Sequence, residues 1–339
     1  MSFGQKTDSI ASGIVGKLAY QAGGLKNLIA LLIARFRNGI LSTGKIPGAS
    51  GLATSVVAFA ALYTLNKALN RRVTGGRGAK DAFKPEREIV LITGGSSGLG
   101  LLMAEMFAKR AVKVAVIDVN PSKSPLPAGI RFYQADVTSP PALHEAAEAI
   151  RQDLGDPTVI VNNAGLVELG SIINVDPAKT QRLLNVNVGA LFWVAKEFLP
   201  AMVAKDHGHV VTVASLASFY TMAGIVDYCC SKAAALAFHE GLTQELKHRY
   251  NAPGIRTTVV HPSWTLTPMT EVVAKNSGNK MLEPETVASA VVNQVASGRG
   301  GQLMLPWEIS YLSGLRGFPI WLQEYFRDQN AGLLQWTHE

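Results

Sequence analysis

An apolar run, Ile89-Val-Leu-Ile-Thr93, passes directly into Gly94-Gly-Ser-Ser-Gly-Leu-Gly100 and then into a helical stretch over 101–110. A wholly apolar strand has to be covered on both faces, and a strand joined to a helix by a tight turn is the repeating half of a parallel sheet. The alternation continues: 112–118, 131–136, 159–163, 209–213, 256–260 and 301–305 read as short apolar strands set between helical stretches. An α/β fold follows, a doubly wound parallel sheet of about seven strands with helices on both faces. No internal repeat and no low-complexity segment interrupts it.

The glycine turn also marks where a ligand would sit. It follows a strand and opens a helix, so its backbone N–H groups and the helix N-terminus face one spot suited to a pyrophosphate. Gly94, Gly98 and Gly100 allow the tight turn and the close approach. Asp118 closes the second strand about 20 residues later, placed to accept hydrogen bonds from an adenosine ribose. A carboxylate there repels a 2′-phosphate, which favours NAD; NADP is the alternative.

A second pattern is Asp227-Tyr228-Cys229-Cys230-Ser231-Lys232, read as the opening of a helix. Positions i and i+4 share a helix face, so Tyr228 and Lys232 can project into one cleft. A phenol titrating near about 10 is a poor acid or base at neutrality. An adjacent ammonium favours the phenolate and moves its pKa toward the working pH, as proton exchange with an alcohol or carbonyl requires. Such a pair also occurs by chance on helix surfaces, so it takes its meaning from the rest of the chain. Cys229 and Cys230 are the chain's two cysteines. Their side chains diverge, which excludes a disulfide framework and suits core-filling thiols in a reducing compartment.

Thr93-Gly-Gly-Ser-Ser-Gly-Leu-Gly100, Asn162-Asn-Ala-Gly165, Ser215 and Tyr228-Cys-Cys-Ser-Lys232, in this order, resemble the short-chain dehydrogenase/reductase superfamily over roughly residues 86 to 306. The resemblance implies a Rossmann domain in which Tyr228 is the acid/base and Ser215 hydrogen-bonds the reacting oxygen. It implies that Lys232 lowers the tyrosine pKa and holds the nicotinamide ribose, while Asn187, in Asn185-Val-Asn-Val-Gly189, positions a water that relays protons to Lys232. Thr93, Gly94, Ser96, Ser97, Gly98, Leu99 and Gly100 would cradle the dinucleotide with Asp118, and Asp136 and Val137 would contact its adenine. Asn163, Ala164 and Gly165 would line it, and Pro262, Thr265 and Thr267 would meet its nicotinamide end, Thr267 at the carboxamide. Ser263 departs from the family, which has glycine after the proline. Apart from the family, Asp136 reads as a helix cap, Ser215 as a strand end, Asn162 and Asn163 as turn residues and His261 as a strand-end residue. No metal is expected. Within the superfamily the hydrophobic leader, Leu191-Phe-Trp193 and His261-Pro-Ser-Trp264 resemble membrane-associated retinol, 17β-hydroxysteroid and related lipid dehydrogenases.

The 339-residue chain carries a formal charge of +7, which would suit a nucleic-acid binder if it were spread over the fold. It is concentrated instead. Residues 1–80 hold eleven Lys and Arg against Asp8 alone, net +10, which leaves −3 on the other 259, so a nucleic-acid role loses its support. Within this leader, 25–37 mixes bulky apolar residues with cations, in the manner of a helix lying on an anionic membrane. The uncharged run 46–66 is marginal for a span, which needs about 20 predominantly apolar residues. Lys67, Arg71, Arg72, Arg77 and Lys80 follow, as cations do on the cytoplasmic side of an anchor. A membrane segment is expected there, attaching a cytosolic catalytic domain to the endoplasmic reticulum or a lipid droplet. A buried helix and a mitochondrial transit peptide are the alternatives.

Three parts result: a basic, hydrophobic leader over 1–80, a dinucleotide-binding catalytic domain over 81–306 after a glycine-rich linker at 74–78, and a hydrophobic extension over 307–339. The extension reads as core, as the contact of a homodimer or as a rim lowered onto a bilayer. The expected function is a membrane-associated oxidoreductase that transfers a hydride between a nicotinamide dinucleotide and a lipophilic alcohol or ketone, such as a retinoid, a steroid or a long-chain alcohol. The alternatives are an NADPH-dependent reductase of keto-lipids such as 3-ketosphinganine, against which Asp118 speaks, and a non-catalytic dinucleotide-binding scaffold at a membrane.

Overall fold

The structure, a computed structural model, describes residues 49–74, 83–270 and 281–329. The chain divides into two units, residues 1–70 and 71–339. In the first, the described residues belong to a helix, α1 (Ala49–Thr74), along which Leu62, Tyr63 and Leu69 are exposed. The expected membrane segment begins outside the described residues and runs on into α1. The surface helix at 25–37, most of the glycine linker and the cations Arg77 and Lys80 lie outside them.

The second unit is built on strands β1 (Ile89–Thr93), β2 (Lys113–Asp118), β3 (Ile130–Gln134), β4 (Val159–Asn162), β5 (Gly208–Val213), β6 (Ile255–Pro262) and β7 (Gly301–Leu305). They form one seven-stranded sheet in the order 3-2-1-4-5-6-7, and every pair is parallel. Helices α2 (Gly98–Ala108), α3 (Pro140–Asp153), α4 (Pro177–Leu184), α5 (Ala190–Lys205), α6 (Val226–His248) and α7 (Pro284–Ala296) connect them.

The period of two along each strand explains why so few polar residues interrupt the strands. Leu91, Ala115 and Ile117 pack on one face against Leu143 and Ile150 of α3, Phe198 and Met202 of α5, and Leu242 and Leu246 of α6. Val90, Ile92, Val114 and Val116 pack on the other against Met103 and Phe107 of α2 and Val287 and Val291 of α7. Both faces are covered, so alternate residues need not alternate in polarity. α4 and α5 are joined by a π-helical turn (Asn185–Gly189) into a 29-residue helical run with a mean hydropathy of 1.3 over its most apolar stretch. That run is apolar enough to cross a membrane by composition, but here Val194, Phe198 and Met202 spend its apolar face on the sheet.

β1 lies between β2 and β4, so the chain reverses its direction of travel across the sheet at that point. Such a switch opens a crevice at the carboxyl ends of the central strands. After β7 a 3₁₀ stretch (Trp307–Gly317) and α8 (Ile320–Asp328) fold back onto the same unit, with Leu315 fully buried. Residues 330–339 lie outside the described part.

Candidate active site

β1 delivers the chain into a turn that leaves no room for a side chain at Gly94 or Gly100. A Cβ on Gly94 would stand 2.8 Å from Cα of Ala164, and one on Gly100 would stand 2.1 Å from the carbonyl oxygen of Gly94. Gly94, with φ +65°, donates its N–H to Ile117 at 2.8 Å. Thr93 Oγ1 accepts from the N–H groups of Asn163 and Ala164, each at 3.1 Å, and Asn163 Nδ2 donates to the carbonyls of Thr93 at 3.1 Å and Gly94 at 2.9 Å. These bonds strap the ends of β1 and β4 together.

Asp118 stands over the turn, Oδ2 accepting from Ser96 N–H at 3.1 Å and Oδ1 from Asn120 N–H at 3.2 Å. Each oxygen keeps a lone pair for a further donor. The Ser96 hydroxyl is buried with no protein partner, and the Ser97 hydroxyl, at the N-cap of α2, makes no capping bond. Asp136 lies two residues past β3 and accepts from both the N–H and the hydroxyl of Thr138, at 2.8 and 2.7 Å. The cap of α3 falls to Ser139 instead, so Asp136 closes a local turn beside the cavity, with Val137 buried next to it.

Across the crevice, α6 presents Tyr228 and Lys232 on one face, with Lys232 Nζ 5.6 Å from the centre of the tyrosine ring. Ser215 follows β5, its Oγ accepting from Ala217 N–H at 3.1 Å and donating to the Pro262 carbonyl at 3.4 Å. Burial pushes the Tyr228 phenol up to about 12, and hydrogen bonding from Ser215 opposes the rise. Burial also pulls the Lys232 ammonium down to about 8, while its Nζ donates to the Val213 carbonyl at 3.0 Å. Desolvation, rather than the neighbouring ammonium, is therefore the larger influence on Tyr228 in this fold.

Asn187 sits in the π turn with its side chain buried against Leu166. Its Nδ2 also donates to Ser231 Oγ at 2.9 Å, and Ser231 donates to the Tyr228 carbonyl at 2.7 Å. His261 is fully buried in β6 with Nδ1 3.0 Å from the Ser215 carbonyl. A carbonyl only accepts, so Nδ1 carries the proton. Burial holds this imidazole at about 4. Thr265 Oγ1 donates to the Ser263 carbonyl at 2.9 Å, and Thr267 pairs with Thr270.

These groups surround a cavity of about 1000 Å³. Gly94, Ser97, Gly98, Leu99, Asp118, Asp136 and Val137 line it, together with Asn163, Ala164, Gly165, Ser215, Tyr228, Lys232, Pro262, Thr265 and Thr267. Thr93, Ser96, Gly100 and Asn187 stand behind the wall and hold it. Met222, Ile225, Trp264 and Met269 also line the cavity, as do Ile309, Tyr311, Leu312 and Phe326 of the C-terminal segment.

With this geometry, the pattern of the short chain dehydrogenases matches residues 88–278. The chain belongs to the short-chain dehydrogenase/reductase family. This short-chain dehydrogenase is 39% identical over 201 residues to Dehydrogenase RED2 of Cochliobolus heterostrophus, which spans 59% of this chain and 76% of that one. It is 34% identical over 241 residues to Estradiol 17-beta-dehydrogenase 11 of Rattus norvegicus, covering 68% and 80%. Its fold matches that of 3-ketoacyl-(acyl-carrier-protein) reductase from Brucella melitensis complexed with NADH, with a TM-score of 0.58 and 24% identity over 66% of this chain and 98% of that one.

The short-chain dehydrogenase is an NAD(P)-dependent oxidoreductase, and its own residues fit the dinucleotide. The turn presents Gly94 and Gly98 to the cavity without side chains, its tightness demands glycine at Gly94 and Gly100, and the buried Ser96 hydroxyl is left with bonding capacity beside it. Leu166, Ser231 and Val213 hold Asn187 and Lys232 through backbone groups and a single hydroxyl, which leaves no motif to read. The C-terminal wall is the other part that sequence reasoning did not place at the site. Its signal was the aromatic run after Pro306.

Proposed function

We propose that this short-chain dehydrogenase interconverts a lipophilic alcohol and its carbonyl counterpart at a membrane surface, with NAD as the preferred dinucleotide. One observation carries the reading: Tyr228 and Ser215 line the same cavity as the glycine turn and Asp118, and the apolar side chains of Met222, Ile225, Trp264, Ile309 and Leu312 line it too. The name of the estradiol relatives supports an apolar secondary alcohol as substrate.

In the oxidative direction Tyr228 takes the proton of the alcohol and Ser215 donates a hydrogen bond to the reacting oxygen. Lys232 stabilises the phenolate that takes up the proton and holds the nicotinamide ribose, and Asn187 keeps the loop at Leu166 in place. The bound dinucleotide supplies the hydride acceptor for oxidation and the donor for reduction. Asp118 accepts from ribose hydroxyls and repels a 2′-phosphate.

Purified enzyme, screened against long-chain alcohols, steroids, retinoids and their carbonyl forms while nicotinamide absorbance is followed, should show turnover that rises with the apolar size of the substrate. Turnover with none of them, or better kcat/KM with small polar alcohols, refutes the reading. NAD(H) should be preferred and Asp118→Ala should narrow the preference; higher wild-type kcat/KM with NADP(H) reverses the assignment.

The leader supports membrane attachment through its net +10 and the apolar residues of α1. Protein carrying it should stay with membranes through a 1 M salt wash, where the screening length falls to about 3 Å. Recovery in the soluble fraction removes the membrane from the proposal.

A further inference from the structure

The sheet is complete at Leu305, yet the next 23 residues return to the cavity. Ile309, Tyr311 and Leu312 line it from the 3₁₀ stretch and Phe326 from α8, with the rings of Tyr311 and Phe326 6.3 Å apart at 49°. Bonds to distant parts of the chain fix this arm. Arg316 Nη2 donates to the Ser218 carbonyl at 2.9 Å, and the Tyr220 hydroxyl donates to the Phe326 carbonyl at 2.7 Å. Gln323 Nε2 donates to the Phe318 carbonyl at 2.7 Å and closes α8 against the 3₁₀ stretch.

The attachment point is informative. Ser218 ends the short 3₁₀ turn (Leu216–Ser218) that Ser215 caps, and its own hydroxyl donates to the Lys232 carbonyl at 2.8 Å. Ser218 itself is 1% exposed. The arm is thereby bonded to the turn that presents Ser215 and, through one serine, to the helix that presents Tyr228 and Lys232.

We propose that residues 307–328 are the specificity-determining wall of the substrate cavity: Tyr311 and Phe326 contact the apolar tail of the substrate, and Arg316 and Tyr220 are positioning residues that hold this wall in register with Ser215. The proposal rests on the alcohol–carbonyl reading above. The wall's side chains are aliphatic or aromatic, and each methylene of a tail buried against them raises affinity by about fourfold. A short ketone that reaches Tyr228 leaves this wall untouched.

The test is equilibrium binding of 2-dodecanone and 2-hexanone to the NADH complex, followed by nicotinamide fluorescence in a Tyr228→Phe background so that nothing turns over. The dodecanone-to-hexanone affinity ratio should fall about tenfold in Tyr311→Ala and in Phe326→Ala. Arg316→Ala should do the same, and Arg316→Lys, which keeps a donor for the Ser218 carbonyl, should restore part of the ratio. An unchanged ratio in Tyr311→Ala and Arg316→Ala with NADH still bound overturns the proposal. So does an equal loss for both ketones, which is what a merely structural arm produces. Should Arg316→Ala no longer bind NADH, Tyr220→Phe, which removes the donor to the Phe326 and Arg327 carbonyls, decides on the same ratio. A Tyr228-intact enzyme that reduces neither ketone, while the ratio still responds to the arm, refutes the alcohol–carbonyl reading and leaves the wall standing. No binding of either ketone overturns both.

Discussion

Asn187 holds Leu166 by both of its backbone groups, Oδ1 accepting the N–H at 2.7 Å and Nδ2 donating to the carbonyl at 2.9 Å. The π turn rotates this amide inward, and through Ser231 it also touches the helix of Tyr228 and Lys232. One side chain thus ties the loop at Gly165 to the proton-transfer helix. Asn187→Leu keeps the branched shape but strands both Leu166 backbone groups and removes the donor to Ser231 Oγ. It should cost about 2–4 kcal/mol of stability, measured by guanidinium unfolding. A loss under about 0.5 kcal/mol would show that water replaces the amide.

Tyr228→Phe removes the transferable proton and little else. Turnover should fall by about three orders of magnitude or more, with the dinucleotide dissociation constant within about twofold. With the phenol held up at about 12, carbonyl reduction should be flat between pH 6 and 8 while alcohol oxidation, which needs the phenolate, climbs as pH rises. Residual activity in the Phe variant above a tenth of wild type would reassign the proton.

Gly100→Ala places a methyl where the Gly94 carbonyl already stands, and that neighbour is backbone held by Asn163. The turn has to open. The variant should lose about 3 kcal/mol and most of the thermal shift that NADH confers on wild type. Calorimetry with and without NADH reads both, and a wild-type melting temperature with a wild-type shift would contradict the close approach.

His209 and His261 are 3% and 0% exposed, with pKa values held at about 3 and about 4 by burial. Arg256 and His239 add to the effect at His209, and Lys232 adds to it at His261. Both values lie below the unfolded one, so the stability they confer is complete above about pH 6.5 and is lost as pH falls toward 4 and then 3. Each should contribute a slope approaching about 1.4 kcal/mol per pH unit inside that window. Denaturant titrations from pH 7.5 to 5.0 check this; a flat profile would mean that the imidazoles can be protonated in place.

The strands were legible because sheet burial on both faces leaves nothing but apolar residues at 89–92, 114–117 and 159–161. Their ends were less so: the expected third strand ran to Asp136, but pairing stops at Gln134 and an Asx turn takes over. α2 starts at Gly98, earlier than expected, because the glycine turn itself supplies the first helical residues. The helix face shared by Tyr228 and Lys232 followed from spacing alone. The burial that outweighs the ammonium did not, since it depends on Ala217, Ile225, Met222 and Trp264 gathering around Tyr228. The arm was the hardest to place. An aromatic run is compatible with many surfaces, and Tyr220 meets Phe326 across 106 residues of chain.

The strand order has a consequence for biosynthesis. β1, β2 and β3 can pair as soon as residue 134 has left the ribosome, but the second edge of β1 stays bare until β4 emerges. Each later strand is then laid on its predecessor in the order of translation, so the nascent chain always ends in one fresh apolar edge. Such an edge invites pairing with another chain. The arm that walls the cavity is translated after the last strand, so a truncated product can own an intact cradle for the dinucleotide and still have no finished chamber for a substrate.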